Sequence, residues 1–235
     1  MHDPATEVLK FLDLESVKAV LDFLQKAVAA GVGAWAAFRF QEYRETRKER
    51  GDRIHALREA LFLLSSQRGF LLILDQDQLA PMRDDPSRHL LLRPPLFGRA
   101  PLPLDLTKLV FLIKLHKSGS LISQLDLAEA RFSFVERLLE ERRNLHYRVQ
   151  DRLAATGEAW GDGATLEEAV TAVVGRPSVL QLKQMTDALY ESVAPALATN
   201  RECVTAIQEF IKEQFPGERV PSVIEEKTGP SAPPA

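Results

Sequence analysis

Between Lys26 and Arg39 the chain carries no charged side chain. Residues 27–38 read AVAAGVGAWAAF, a run of small and apolar groups closed by aromatics. Such a run must lie in a bilayer, at its surface, or against protein. A bilayer span needs about 20 apolar residues, and this run has twelve. Lys18, Asp22, Gln25 and Lys26 precede it, and their spacing lays a polar stripe along the first turns. The other end has the marks of a cytoplasmic membrane boundary. Trp35, Phe38, Phe40 and Tyr43 lead into Arg39, Arg44, Arg47, Lys48, Arg50 and Arg53. Ala29, Gly33 and Ala37 form a small-residue ridge that lets helix backbones approach closely. The expectation is a single-pass membrane-anchor helix over residues 17–40, with the N-terminus outside and the C-terminal body in the cytoplasm. Its anchoring and oligomerising residues are Ala29, Gly33, Trp35, Ala37, Phe38 and Arg39. The alternative is an Ala-rich amphipathic helix, either interfacial or packed in a soluble cytoplasmic protein.

Composition narrows the rest. Leu and Ala dominate and aromatics are only 7%, which favours helices over strands. The net charge of −3 supplies no basic field, so nucleic acid is not the expected partner. The single Cys203 excludes an internal disulfide and fits a reducing compartment. Residues 1–16 lack the basic start of a secretory signal and read as an N-terminal tail, with Ser16 as a helix cap.

Residues 41–53 read as a charged helical connector. Ile54, Leu57, Leu61 and Leu64 then repeat at helical spacing, and Leu71, Leu72 and Leu79 extend the stripe. Six prolines between Pro81 and Pro103 forbid a continuous helix over 80–104. The apolar Leu90, Leu91, Leu92, Leu96 and Phe97 predict that this segment folds back onto the body. A central helix is expected after Asp105 or Thr107, on the apolar Leu109, Val110, Leu112, Ile113 and Leu115. The next helix has the strongest pattern. Leu121, Leu125, Ala128, Phe132, Val135, Leu139, Arg142, His146, Val149 and Leu153 alternate four and three apart, a coiled-coil-like stripe. Thr165 and Glu168 make a capping box for a short helix to Val174. The last helix, residues 178–215, carries Leu182, Met185, Leu189, Val193, Leu197, Val204, Ile207 and Ile211, with a kink expected at Pro195. The fold class is therefore all-α: an antiparallel helical bundle over residues 54–217, preceded by one N-terminal apolar helix and followed by a Pro-rich disordered tail, 218–235.

Chemistry is harder to find. Arg142, Arg143, Asn144 and His146 form the densest polar cluster. Helical nucleases of the HEPN type use an Arg, a polar residue and a His on one helix. Arg143 and Asn144 resemble the start of such a motif, but His146 follows too closely. The bland reading makes Arg142 and His146 heptad positions packed on a neighbouring helix. No Glu stands three residues before His55, His116 or His146, so the di-iron pattern is absent, and one Cys excludes cysteine zinc sites. Asp75, Asp77, Asp84 and Asp85 lack a glycine-pinned calcium loop. Cys203 sits by the apolar face of the last helix and reads as a structural thiol. No cofactor, metal or small-molecule ligand is expected.

The apolar run with its edge AWAAFRFQEYRETRKERGDR, followed by the helix LISQLDLAEARFSFVERLLEERRNLH, resembles uncharacterised bacterial proteins that have one N-terminal membrane anchor and a cytoplasmic helical body. The resemblance implies the bacterial inner membrane as the location, and no activity. The expected function is that of a non-enzymatic, membrane-tethered helical scaffold or sensor. Its expected partners are lipid and another protein or a second copy of itself. The alternative is a soluble helical effector or enzyme subunit with a site near Arg143 and His146.

Overall fold

The computed structural model describes residues 14–94, 101–115, 119–156 and 165–219. Among them there are six α-helices, short 3-10 and π segments, and no strand. The protein is all-helical, with long helices. Two compact units divide the chain, Met1–Asp52 and Arg53–Ala235. The expected tail ends, residues 1–13 and 220–235, and the apolar Leu96 and Phe97 lie outside the described residues.

The first helix, α1, is Leu14–Ile73. No proline occurs in its 60 residues, and Ala, Leu, Arg, Glu and Lys supply strong helix propensity. Neighbouring turns are tied on the surface. Lys26 pairs with Asp22 at 3.5 Å, Arg39 with Glu42 at 3.1 Å, and Gln41 donates to Glu45 at 3.1 Å. The helix runs unbroken through the charged connector expected over residues 41–53. Gly51 lowers propensity without ending the helix, because the flanking residues are good helix formers.

Within the unit Met1–Asp52, every side chain described from Lys18 onward is exposed. Among the described residues no helix is long and apolar enough to cross a membrane. That corrects the expected span over residues 17–40. The uncharged run is too short, and Asp22 and Lys26, at 70% and 80% side-chain exposure, put charge in the N-terminal half of residues 17–40.

In the unit Arg53–Ala235, α1 turns inward through Ile54, Leu57, Leu61, Leu64 and Leu71. Its α pattern stops at Ile73, six residues short of the expected Leu79. Pro81 cannot continue an α-helix, and the chain widens into a π-helical turn, Leu74–Leu79, before a 3-10 turn, Ala80–Met82. A one-turn helix follows, α2, Arg88–Leu91. The expected fold-back holds for Leu90 and Leu92, which pack on the core, while Leu91 is exposed.

The central helix expected after Asp105 is not formed. Asp105 caps a 3-10 turn, Leu106–Leu109, by accepting from the Thr107 amide, and α3 is only Phe111–Lys114. Leu109 and Leu112, three apart, are buried, whereas Val110 and Ile113 on the other side are exposed. The apolar residues here are too closely spaced to share one face.

Helix α4, Gly119–Thr156, buries every position of the heptad stripe from Leu121 to Val149. Thr165 and Glu168 form the full capping box of α5, Leu166–Val174. Gly175, at φ 85°, takes the left-handed turn that starts α6, Arg176–Gln214. Helix α6 runs through Pro195, whose carbonyl accepts from Arg131 of α4 at 3.2 Å. Cross-helix bonds pair Gln124 with Cys203, Arg131 with Thr199, Arg142 with Thr186, and Arg152 with Val174.

The core falls into three apolar clusters. One joins residues 54–64 of α1 with Leu109, Leu112, Leu125, Ile207 and Ile211. A second joins Leu71, Leu74, Leu79, Phe132, Val135, Leu189 and Val193. The third is Val149, Val170, Val174 and Val179. In sequence, buried polar groups fall between them. Gln67, Thr199 and Asn200 come between the first two clusters, and Arg142, His146 and Thr186 between the second and third.

Leu189, fully buried in the second cluster, is expected to cost about 3 kcal/mol when replaced by Ala. Phe62, 72% exposed, should change stability by less than about 0.5 kcal/mol when replaced by Ala. Urea unfolding of both variants checks this contrast.

Candidate functional site

The two groups of candidate residues belong to different compact units. Ala29, Gly33, Trp35, Ala37, Phe38 and Arg39 stand exposed on α1. A methyl group built on Gly33 would meet no atom within 4 Å. Trp35 and Phe38 are 66% and 74% exposed, and Leu21, Phe23, Leu24, Val28, Val32, Phe40 and Tyr43 are also exposed. Free aromatic rings are partly engaged by cations from the next turn. The Arg39 guanidinium lies 5.9 Å from the Trp35 ring, and that of Arg44 lies 5.9 Å from Phe40.

The polar cluster on α4 splits by helix face. Arg143 and Asn144 point to solvent, whereas Arg142 and His146 are buried at 1% and 5% exposure. Although three apart on one helix, Arg143 and His146 do not meet: Arg143 is exposed and pairs with Glu140 at 3.6 Å, while His146 is buried. In this conformation neither Arg142 nor His146 offers an atom to a solute.

Arg142 makes tertiary bonds instead. Its Nε donates to the Thr186 hydroxyl at 2.9 Å, and its Nη2 donates to the His89 carbonyl at 3.1 Å and the Leu92 carbonyl at 2.7 Å. Thr186 in turn donates to the Leu182 carbonyl at 2.8 Å. Burial pushes the guanidinium down to about 10, so it remains charged at neutral pH. Desolvating a cation costs several kcal/mol. Three charge-assisted hydrogen bonds offset that cost. The two carbonyls belong to the Pro-rich segment, and Arg142 thereby pins that segment to α4 and α6.

The same segment has further ties to α6. The Tyr190 hydroxyl donates to the Leu79 carbonyl at 2.8 Å. Arg88 donates to Asp187 at 2.7 Å and stacks 4.6 Å from the Tyr190 ring. Asp75 pairs with Arg83 at 3.4 Å, and Asp85 accepts from the Ser87 amide at 2.7 Å. These acidic residues are thus bound to local partners. Cys203 is fully buried, donates to the Gln124 carbonyl at 3.3 Å, and is pushed up to about 11 by burial. Its thiol is poorly ionised at neutral pH.

Sequence reading missed His89, which is buried at 1%. Burial lowers its pKa and outweighs the opposing pull of Glu167, whose carboxylate lies 3.8 Å from Nε2. Lys183 adds to the lowering, while Asp187 and a bond to the Pro86 backbone oppose it. His146 is also lowered, by burial and then by the Arg142 charge one turn away. Both of its ring nitrogens, and Nε2 of His89, are buried and have no hydrogen-bond partner among the described residues. The signal for His89 was weak, because a lone His in a Pro-rich stretch resembles an exposed loop residue.

Two outcomes follow for stability. Replacing Arg142 by Met leaves two buried carbonyls unpaired and should cost about 3 kcal/mol. For the histidines, the unfolded chain binds more protons than the folded one. Their stabilising contribution is full above the ordinary value of 6.5, falls as pH drops below it, and levels off below the lowered folded values. Urea midpoints measured between neutral and mildly acid pH should fall accordingly, and His146→Phe should flatten the slope. No protein-family model, curated protein or solved structure matches this chain.

Proposed function

We propose that this protein is a non-enzymatic helical scaffold that works by contact, through the exposed face of α1. The observation carrying this reading is the row of large apolar side chains left uncovered between Leu21 and Tyr43. A soluble monomer rarely leaves so much contiguous apolar surface open, and such patches mark interaction sites. The body from Arg53 onward is proposed to be an antiparallel bundle. Supporting this, the partner numbers on α6 fall, 203, 199, 186, as those on α4 rise, 124, 131, 142. Its buried cation serves packing: Arg142 is spent on main-chain carbonyls and a hydroxyl.

Thiol labelling tests the contact reading. Cys203 is buried and weakly ionised, so a cysteine placed at Val28 becomes the reactive thiol. In Val28→Cys, labelling inside cells is expected to be several-fold slower than in the purified chain. An exposed body position, Glu140→Cys, should label alike in both settings. Equal labelling of Val28→Cys in cells and in solution would sink the proposal.

A further inference from the structure

We infer that the partner covering α1 is an anionic lipid surface, on which residues 18–48 lie in the interfacial plane. This rests on the contact reading above and names its occupant. Leu21, Leu24, Val28, Val32 and Trp35 fall on one face, within about 100° of arc. That stripe suits either a helix or a lipid surface. The residues beside it discriminate between these. Phe23 and Phe40 are also exposed but project well off the stripe, so a single helix–helix seam would leave both rings in water. A lipid interface receives apolar and aromatic groups across a much wider arc, and Trp and Tyr favour that depth.

Charge points the same way. The whole chain has a net charge of −3, yet residues 18–48 hold six Lys and Arg against three Asp and Glu, a local +3. All three acids are already engaged within the helix, Asp22 by Lys26, Glu42 by Arg39 and Glu45 by Gln41. Arg44 is held over the Phe40 ring, which places a cation beside an exposed aromatic. A cation next to an aromatic ring is the arrangement that anchors a helix where phosphate headgroups meet acyl chains. Depth is limited by length. The twelve uncharged residues rise about 18 Å, well short of the roughly 30 Å hydrocarbon core. The helix therefore lies along the surface.

Flotation of the full chain tests the inference. The probes are vesicles of phosphatidylcholine alone and vesicles of equal phosphatidylcholine and phosphatidylglycerol. The chain should float several-fold more with the mixed vesicles, and added salt should reduce this. Replacing Arg44, Arg47 and Lys48 together by Gln should weaken flotation about tenfold or more. In a Trp160→Phe chain Trp35 is the remaining tryptophan, and its emission should shift to the blue only with the anionic vesicles. Circular dichroism confirms that each variant keeps its helix content. Absent flotation, or equal flotation on both vesicle types, overturns the inference. So does self-association without lipid that Val28→Asp abolishes, which assigns the face to a second copy and leaves the contact reading standing. Failure of the contact reading itself shows separately, as equal thiol labelling in cells and in solution.

Discussion

A buried cation that has no carboxylate partner among the described residues fastens the Pro-rich segment to the helical body. Arg142 occupies a heptad position where Leu or Val would be the simpler choice, and it is 1% exposed. An apolar residue there would leave the carbonyls of His89 and Leu92 without the donor they now share. These carbonyls exist because the Pro-rich segment after α1 cannot form a regular helix and so cannot satisfy its own backbone. The irregular backbone and the buried charge answer each other. Each would be unfavourable alone, and together they fix where the segment sits.

The same logic explains why the core is divided. A continuous apolar seam between α4 and α6 would tolerate a slip of one heptad, because Leu and Val positions repeat. The interruptions at Thr199 and Asn200, and at Arg142 and Thr186, remove that freedom. Arg131 meets Thr199, and Arg142 meets Thr186, in one alignment only. Asn200 is 3.5 Å from Gln67 of α1, and Gln67 donates to Glu129 of α4 at 2.9 Å. Glu129 also accepts from the Leu104 amide at 2.9 Å, tying the chain entering the 3-10 turn into the same layer. Buried polar contacts of this kind set register in long paired helices.

Much of this was legible in the sequence where periodicity was long. The stripe from Leu121 to Val149 and the Thr165–Glu168 cap were readable because nine regular positions, or a four-residue box, leave few alternatives. The π turn at Leu74–Leu79 was not readable, since it answers Pro81 and a distant Tyr190 hydroxyl. Nor was the shortness of α3, because local apolar density says nothing about which side is covered. Arg142 was placed correctly on the buried face, but two of its three partners, the His89 and Leu92 carbonyls, lie upstream on a segment with no pattern of its own. At the N-terminal end, the small-residue run and the basic edge suggested a bilayer crossing. Asp22 and Lys26 decided against it, because two ionised groups shorten the usable apolar length below what hydrocarbon demands.

One turn of α6, from Thr186 to Tyr190, bears on most of the fastening of the segment between Leu79 and Leu92. Thr186 orients Arg142, Asp187 holds Arg88, and Tyr190 holds the Leu79 carbonyl. A strap fastened at one place opens as a whole. Amide protons along it should therefore exchange with solvent through a shared opening, at a lower free energy than the helices beneath, which makes this stretch a cooperative unit of its own. Its ends, Leu79 and Leu92, belong to the same apolar cluster as Leu71, Leu74 and Val193. The apolar side of this stretch is thus held to the core by bonds that converge on a single helical turn.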